Sequence, residues 1–452
     1  MQGDPDQELS GAPFREVGEA RLGPGARVYE HGWQSWTPTG VYPATATSPR
    51  PPSARSRTMH YRAQTEFPER GFQAAGLLAL DPGEGGPVQI WSAPDPSREV
   101  PNIRAIDEGE RLRVSADGDV EQTSHGGDLR SALGAWAEEL ARRAGLGKPR
   151  SLSPGWCTWY QYFTDVREED VLENLEALDR LRLDAAVVQI DDGYQAGIGD
   201  WLDRSSRFPH PLSELVDRIR ASGRRAGIWT APLLVGARSR LSAEHADWLV
   251  GDADAGHNWG QPLSVLDVTH PDAAAHLQHV FRTLAGWGFD FFKIDFIYAG
   301  ALAGRRHGDA GGIAAYREAV RLIREAIGPR ATLLGCGAPI LPSVGLFDAM
   351  RVSPDVAPYY QPSDGDLGAP SQLSAALTGR ARAFQHGRFW VNDPDCLIVR
   401  PHVERREEWA EHVERFGGLR MSSDRLDSLD SWGLETTRRL LQPSPPDPFY
   451  LR

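Results

Sequence analysis

The segment FDFFKIDF at residues 289–296 is the clearest indication of the fold, because an apolar, strand-like run leads directly into charged residues. Similar runs occur on both sides of it: WCTWY (156–160), AAVVQID (185–191), AGIWTAP (226–232), ATLLGCG (331–337), DAMRVS (348–353), RFWVND (388–393) and GGLRMSS (417–423). Segments with helical periodicity separate most of these runs, for example residues 168–181 and 312–328. Eight strands alternating with helices over about 270 residues predict an α/β fold, a (β/α)8 TIM barrel. A doubly wound sheet is the alternative, but it would need Gly-rich phosphate turns that the chain lacks.

The regions outside the barrel have a different pattern. Residues 1–147 are rich in Gly, Pro and Thr and contain short alternating runs at 88–93 and 111–116, so we predict an N-terminal β-rich, β-sandwich-like domain. We expect a helix at 129–143, a linker before residue 155, and the catalytic barrel over residues 155–425. Residues 426–452 are predicted to form a helix and a Pro-rich tail in place of a full C-terminal β-domain.

Composition excludes several classes of partner. The 452 residues carry a net charge of -13 without a block of like charges, which argues against nucleic acid or an anionic membrane surface. Neither a run of apolar residues long enough to span a bilayer nor a secretory signal is visible. The three cysteines do not resemble a disulfide framework, so we expect a reducing cytoplasm.

Lys293 and Asp295 are the first candidate functional residues. They lie two positions apart on the predicted fourth strand, so their side chains share one face. They also lie at the end of that strand where barrels of this kind carry their active sites. An ammonium beside a carboxylate favours its ionised form, which a nucleophile requires. Considered by itself, the pair fits a structural ion pair equally well.

Asp355 follows the predicted sixth strand and supplies a second carboxylate near the same end of the barrel. Glycoside hydrolysis requires two carboxyl groups, one to attack or activate water and one to protonate the leaving oxygen. Because neighbouring carboxylates resist simultaneous ionisation, we expect Asp355 to retain its proton longer. The alternative is a turn or helix-cap aspartate, since Ser-Pro-Asp is also a turn signal.

Asp191 and Asp192 follow the predicted second strand, where a turn at Gly193 would let both carboxylates reach the pocket. Adjacent carboxylates can also bind a metal. Metal-dependent barrels usually add a His-x-His pair, however, and none occurs among the 13 histidines. We therefore do not predict a catalytic metal, and the family resemblance described below implies no cofactor.

Tryptophan is the one unusual residue in the composition, with 14 copies. Several lie beside Gly, Asp or Thr at the ends of strand-like runs, where flat apolar faces near carboxylates suit the C–H face and hydroxyl rim of a pyranose. Core packing is the alternative for about half of them.

Taken together, the motifs resemble glycoside hydrolase family 36 of clan D, and within it compact bacterial α-galactosidases. The ordered series is WCTWYQYF, VVQIDDGYQ, GDWL, GIWTAP, FFKIDF, LLGCGAP, MRVSPDVAP and RFWVNDPDCLI, which covers roughly residues 155–400. HGWQSW at residues 31–36 resembles the family motif that sends a tryptophan from the N-terminal domain over the barrel mouth.

The resemblance implies a role for each matching residue. Asp295 matches the nucleophile and Asp355 the general acid/base. The implied substrate-binding residues are Asp191 and Asp192 at the galactose 4- and 6-hydroxyls, Trp229 and Trp36 around the ring, Lys293 and Arg351 as donors, Cys336 and Gly337 near the 2-hydroxyl, and Trp201, Trp390 and Asp393 as lining or supporting positions.

The resemblance implies hydrolysis of terminal α-galactosyl residues, from substrates of the melibiose or raffinose type, by double displacement with retention. The alternatives are an α-N-acetylgalactosaminidase, an α-galactosyl transferase, or a sugar-binding barrel without catalytic activity. Relative to the family, we expect a short N-terminal β-domain and no full C-terminal β-domain in this sequence. In the family these parts often influence the oligomeric state and access by long substrates.

Overall fold

The structure is a computed structural model that describes residues 13–62, 66–362 and 364–442. The predicted Pro-rich tail, residues 443–452, and the first 12 residues lie outside the described residues. Across the described ranges, no helix combines the length and apolar character that crossing a bilayer would require.

Within the described residues, the first nine strands form two antiparallel sheets. They are β1 (Arg15–Arg21), β2 (Arg27–Glu30), β3 (Gly40–Pro43), β4 (Phe72–Ala75), β5 (Leu77–Asp81), β6 (Val88–Ser92), β7 (Asn102–Asp107), β8 (Arg111–Ala116) and β9 (Glu121–His125). The strand orders are β1-β8-β7-β4 and β3-β2-β5-β6-β9. Buried side chains from both sheets, including Val28, Phe72, Leu78, Trp91 and Val114, form one core cluster. The predicted N-terminal sandwich-like region is confirmed, and we call β1–β9 the N-terminal sandwich.

Two helices accompany the N-terminal sandwich, α1 (Ala54–His60) and α2 (Leu129–Arg143). The second has the bounds that the sequence predicts. It begins where the Asp128 side chain accepts a hydrogen bond from the Ser131 N–H, a standard N-cap. Its apolar face is buried, and the Trp136 indole donates to Ser92 Oγ of β6 at 3.0 Å.

The remaining strands are β10 (Gly155–Cys157), β11 (Val187–Ile190), β12 (Arg225–Thr230), β13 (Leu234–Gly236), β14 (His257–Asn258), β15 (Gln261–Val265), β16 (Phe291–Ile294), β17 (Thr332–Gly335), β18 (Ala349–Arg351), β19 (Val391–Asp393) and β20 (Met421–Ser422). Among the described residues, eight of them form a parallel sheet in the order β19-β18-β17-β16-β12-β11-β10-β20. The Asn392 carbonyl of β19 accepts hydrogen bonds of 3.0 Å from the N–H groups of Gly418 and Leu419, just before β20. These bonds connect the two ends of the sheet, and the predicted (β/α)8 barrel is confirmed.

The helices after α2 are α3 (Trp159–Tyr162), α4 (Glu168–Arg180), α5 (Leu212–Ala221), α6 (Arg240–Glu244), α7 (Pro271–Gly286), α8 (Gly312–Ile327), α9 (Gln372–Ala381), α10 (Arg406–Phe416) and α11 (Ser431–Leu440). The helix α8 shows why they form. It buries Ala315, Tyr316, Ala319, Val320 and Ile323 on one face and ends at Gly328, whose φ of 77° suits glycine. The domain boundaries given above stay a prediction.

Two details differ from the sequence prediction. The first barrel strand ends at Cys157, and Trp159 and Tyr160 lie in α3 instead, because aromatic residues favour strands only where a neighbouring strand pairs with them. A small antiparallel sheet, β13-β15-β14, follows β12. Its short strands carry too few residues for an alternating pattern to predict them.

Candidate active site

The carboxyl ends of the parallel strands bring the predicted acidic residues together. Asp191 and Asp192 follow β11, Asp295 follows β16, and Asp355 follows β18. In β16 the Phe292 ring contacts Phe281 of α7. By strand alternation, Phe291 and Lys293 therefore point into the barrel.

Lys293 links two of these carboxylates. Its ammonium lies 3.0 Å from Asp191 Oδ2 and 3.9 Å from Asp295 Oδ2. Gln189 also donates to Asp191 Oδ2, at 2.6 Å. Burial alone would lower the pKa of Lys293, but the attraction of Asp191 and Asp295 outweighs burial and raises it well above its usual value. Lys293 is therefore a permanent cation between two carboxylates.

Asp295 is held by hydrogen bonds to both carboxylate oxygens. The Trp229 indole donates to Oδ2 at 3.0 Å, and the Phe296 N–H donates to Oδ1 at 2.8 Å. Phe296 has a positive φ of 52°, an uncommon conformation for a large residue. These contacts orient the carboxylate while it lies beside Lys293.

Asp355 accepts a hydrogen bond of 3.0 Å at Oδ1 from the Arg351 guanidinium. The Asp355 side chain is 29% exposed, whereas that of Arg351 is 2% exposed. Burial raises the pKa of Asp355, Arg351 lowers it, and Asp295 raises it. The direction agrees with the sequence argument, although burial is a larger cause than the like charge of Asp295 on which that argument relied.

Asp192 points to a different side of the site. Gln195 donates to its Oδ1 at 2.6 Å, and Trp259, which precedes β15, donates to its Oδ2 at 2.7 Å. Burial raises the pKa of Asp192 to about 6, although both hydrogen bonds lower it. Gly193 has a φ of 122°, and a Cβ there would lie 2.8 Å from the Thr164 carbonyl oxygen. Glycine is therefore required at this turn.

Trp36 brings the N-terminal sandwich into the site. Its ring packs at 4.9 Å from Phe296 and 6.1 Å from Tyr298, and it clusters with buried Cys336. Gly337 has a φ of 52°, and a Cβ there would lie 2.8 Å from Trp36 Cη2. The wall near the predicted 2-hydroxyl position is therefore a close contact between two domains.

Arg382 holds the loop that carries Trp36. This guanidinium lies just after α9, is fully buried, and donates to backbone carbonyls of Ser35 (2.7 Å), Gln34 (2.9 Å), Val352 (3.1 Å), Gly32 (3.2 Å) and Thr37 (3.3 Å). Burial lowers the pKa of Arg382 to about 10. The loop therefore has a fixed conformation against the barrel.

Trp201 and Trp390, for which the resemblance implies lining or supporting positions, are both buried. Trp201 is buried, and the centre of its ring lies 5.8 Å from the ring centre of Trp229. It therefore supports the Trp229 ring. Trp390 is fully buried, donates to Asn392 Oδ1 at 3.1 Å, and contacts Phe389. By contrast, Asp393 accepts a hydrogen bond of 3.2 Å from Arg351 Nε and so belongs to the site network.

Sequence reasoning assigned no role to four residues of this network. Trp259 and Arg382 are described above, Asp395 forms a salt bridge with Arg351, and Tyr160 donates a hydrogen bond to Asp395. Asp395 stands in the quoted run NDPDC and could have been found there. Trp259 and Arg382 had no local signal, because each acts on a residue that is distant in the sequence. Within the described residues, no group of three or more His, Cys, Asp or Glu side chains has an arrangement suited to a metal ion.

The chain is similar to known proteins in both sequence and structure. The Melibiase family model matches residues 158–299. The chain is 30% identical to the α-galactosidase TtGalA from Thermus thermophilus, solved in complex with stachyose, over 95% of this chain and 97% of that chain, with a TM-score of 0.79. The α-galactosidase AgaA from Geobacillus stearothermophilus shares the fold, with a TM-score of 0.62 over 94% of this chain and 61% of that one, at 14% identity.

Matches to curated relatives are shorter. An A type blood α-D-galactosamine galactosaminidase from Flavonifractor plautii is 31% identical over 137 residues, 27% of this chain and 13% of that protein. An α-galactosidase from Escherichia coli is 25% identical over 136 residues, 28% of this chain and 19% of that protein. The chain thus spans less than a fifth of the length of these curated relatives.

Proposed function

This chain belongs to glycoside hydrolase family 36, and from that membership we propose that it is a retaining α-galactosidase. The observation that carries the proposal is the pairing of two differently held carboxylates at the same end of the barrel. Asp295 lies beside the Lys293 ammonium, whereas burial raises the pKa of Asp355. One group is suited to attack as an anion and the other to deliver a proton.

The proposed reaction is a double displacement. Asp295 attacks the anomeric carbon as Asp355 donates its proton to the departing oxygen, which leaves with the aglycone. Asp355, now ionised, then takes a proton from water, and the resulting nucleophile displaces Asp295 with net retention. The hydrogen bonds from Trp229 and Phe296 support this role for Asp295, because they orient both of its oxygens.

The sugar would be recognised by the groups around these two carboxylates. Asp191 and Asp192 are proposed to accept hydrogen bonds from the galactose 4- and 6-hydroxyls, a contact that selects the axial 4-hydroxyl. Lys293 and Arg351 are proposed as donors. The tight contact between Trp36 and Gly337 supports exclusion of a bulky substituent at the 2-position of the sugar, because this closely packed wall leaves little space beside it.

Substrate class and location belong to the same proposal. The substrates are small α-galactosides of the melibiose or raffinose type. The three cysteines are buried free thiols, which is consistent with a cytoplasmic enzyme. A second candidate activity, hydrolysis of α-galactosaminides, is favoured by the 31% identity to the galactosaminidase from Flavonifractor plautii.

One assay distinguishes these candidates. Release of nitrophenol would be measured from the aryl α-galactoside, α-glucoside, α-galactosaminide and α-N-acetylgalactosaminide with the wild type, Asp295→Ala and Asp355→Ala. Asp290→Ala is a matched control, because Asp290 lies at the opposite end of the same strand and pairs with Arg225 at 3.1 Å. We expect galactosidase activity in the wild type and the control only. Wild-type activity on none of the substrates, or full activity of Asp295→Ala, would refute the proposal.

Azide rescue assigns the two roles. In Asp295→Gly, azide can enter only from the face that the nucleophile occupied, so the product should be β-galactosyl azide. In Asp355→Gly, azide should displace the covalent intermediate and give α-galactosyl azide. The reverse pair of products would mean that the nucleophile and the acid/base are exchanged.

A further inference from the structure

Asp395 is a buried carboxylate that the mechanism above does not use. It lies two residues after β19, with a fully buried side chain. Its Oδ1 lies 2.7 Å from Arg351 Nη2 in a salt bridge and accepts a hydrogen bond of 2.6 Å from the Cys396 N–H. Its Oδ2 accepts hydrogen bonds from the Val356 N–H, at 2.7 Å, and from the Tyr160 hydroxyl. Each oxygen therefore has two partners, and the side chain is held in one orientation.

Arg351 divides its three guanidinium nitrogens among three carboxylates. Nε donates to Asp393 at 3.2 Å, Nη2 contacts Asp395 at 2.7 Å, and Nη1 donates to Asp355 at 3.0 Å. The guanidinium is planar and rigid, so two fixed nitrogens determine where the third one points. Asp393 and Asp395 are 3% and 0% exposed, whereas Asp355 is 29% exposed. Asp393 and Asp395 therefore fix the plane of the Arg351 guanidinium, and the guanidinium in turn orients the Asp355 carboxylate.

The backbone at Asp395 is also constrained. Its φ is 89°, a region that non-glycine residues occupy only where the surroundings impose it and that aspartate and asparagine tolerate better than most. Its N–H donates to Asp393 Oδ1 at 3.0 Å. Asn at this position would keep the size and the backbone conformation while removing the charge.

We propose that Asp395 is a positioning residue for acid/base catalysis: by fixing the Arg351 guanidinium, it holds Asp355 in the orientation from which it protonates the leaving oxygen. The inference rests on the proposed function and assigns a role to a residue that touches neither the sugar nor the reacting atoms. The negative charge of Asp395 also matters, because it partly compensates the positive charge of Arg351. The effect of Arg351 on the pKa of Asp355 is therefore smaller.

The charged and titratable groups around this unit determine the direction of the expected change. Those that act on Asp355 include Arg351, Asp295, Lys293 and Asp191. Burial raises the pKa of Asp395 to about 7, Arg351 and the Tyr160 hydroxyl lower it, and Asp355 and Asp393 raise it, so the charge of Asp395 acts on Arg351 mainly above that pH. Removing the charge of Asp395 leaves Arg351 to act more strongly on Asp355 and removes a nearby anion. Both changes lower the pKa of Asp355. The acid then loses its proton at a lower pH.

The experiment compares Asp395→Asn with the wild type on two substrates that differ in their need for an acid. Nitrophenolate departs with little protonation of its oxygen, whereas the sugar that raffinose releases as leaving group must be protonated on its oxygen as the bond breaks. We expect kcat/KM for raffinose to fall about tenfold or more beyond the fall for nitrophenyl α-galactoside, because general acid catalysis contributes factors of this size. The alkaline limb of the raffinose profile should move to lower pH by about 0.5–1 unit.

Asp424→Asn is the matched control, since Asp424 is another fully buried aspartate paired with an arginine, Arg400, at 2.7 Å. Asp424→Asn should change kcat/KM for both substrates by the same factor and leave the alkaline limb of the pH profile in place. Tyr160→Phe is a second variant in case Asp395→Asn does not fold. It removes only the hydroxyl that stabilises the Asp395 anion, so it should shift the limb in the same direction by a smaller amount.

An equal loss on both substrates with an unmoved limb would overturn the inference and make Asp395 a purely structural residue. If Asp395→Asn kept the wild-type pH profile on raffinose, the inference would be overturned as well. If only Tyr160→Phe folds, a wild-type pH profile in that variant would have the same consequence. These results require an active wild type, so they are distinct from failure of the proposed function, in which the wild type would hydrolyse neither galactoside.

Discussion

Trp36 of the N-terminal sandwich packs directly on Gly337 of the barrel, so closely that a Cβ on Gly337 would lie 2.8 Å from Trp36 Cη2. The same loop is joined to the barrel by the backbone N–H of Ser35, which donates to the Ala338 carbonyl at 3.0 Å. One wall of the candidate site is therefore an interface between two parts of the chain, and its shape depends on the absence of a side chain at position 337.

Gly337→Ala should displace Trp36 and strain the backbone. We expect the free energy of unfolding to fall by about 1–3 kcal/mol, because overpacking and a positive φ are both unfavourable. The value of kcat/KM should fall on the order of 100-fold as the wall moves. Denaturant unfolding and steady-state kinetics measure the two effects. Gly223→Ala is the control, since its φ is 82° but no described atom lies within 4 Å of its Cβ position. Wild-type kinetics in Gly337→Ala would contradict the role of this contact.

Lys293→Met removes the cation between Asp191 and Asp295. We expect a loss of about 3–5 kcal/mol in the free energy of unfolding at neutral pH, because two buried carboxylates remain without their partner. The raised pKa of Lys293 means that the wild type keeps this stabilisation below the unfolded lysine pKa and loses it only as pH rises through the higher folded value.

Urea unfolding at pH 7 measures the deficit of Lys293→Met. Lys148→Met is the control, because Lys148 is exposed. A deficit in Lys293→Met no larger than that in Lys148→Met would contradict the stabilising role of the Lys293 cation.

Galactose binding should weaken in acid because of Asp192. Burial raises its pKa to about 6, and the ionised carboxylate is a stronger hydrogen-bond acceptor for a sugar hydroxyl than the protonated acid. The Kd for galactose should therefore rise as pH falls through this value. Asp192→Asn should bind about 10- to 100-fold more weakly and lose this pH dependence. Calorimetric titration across pH 5 to 8, a range set by roughly one to two units around the transition, measures both.

Trp259→Phe is a directional test of the same site. Its indole N–H lowers the pKa of Asp192, so its removal should move the binding transition to higher pH. A transition that moves to lower pH, or does not move, would contradict the hydrogen bond between these two residues.

His412 should make the fold sensitive to acid. It packs against Trp409 and Phe416, and among the described residues neither ring nitrogen has a hydrogen-bond partner. Burial lowers the pKa of His412 to about 3. The unfolded chain therefore binds this proton first, so stability falls as pH drops from the ordinary histidine pKa towards the folded value. The full effect is on the order of 5 kcal/mol.

His412→Phe should reduce the loss of stability between neutral and acid pH, because the aromatic packing is kept and the titrating group is removed. Chemical unfolding at a series of pH values measures the slope. An unchanged slope would show that other groups determine acid unfolding.

Much of the barrel could be predicted because its signals are local. Each parallel strand is buried on both faces, so it appears as a short apolar run, and a charged residue at its end marks the barrel mouth. Asp191, Asp295 and Asp355 were found in this way. The small sheet β13-β15-β14 was not, because strands of two to five residues do not carry a readable alternation.

Periodicity and strand ends were sufficient to predict the barrel, the N-terminal sandwich and the positions of the acidic residues. The hydrogen-bond and ion-pair partners of these residues depend on the folded chain. Trp259 contacts Asp192 across 67 residues, Ser35 contacts Ala338 across 303, and three carboxylates surround Arg351. Such contacts join side chains that have no common local pattern, so only the folded chain brings them within hydrogen-bonding distance. The Trp36 wall belongs to this second group for the same reason.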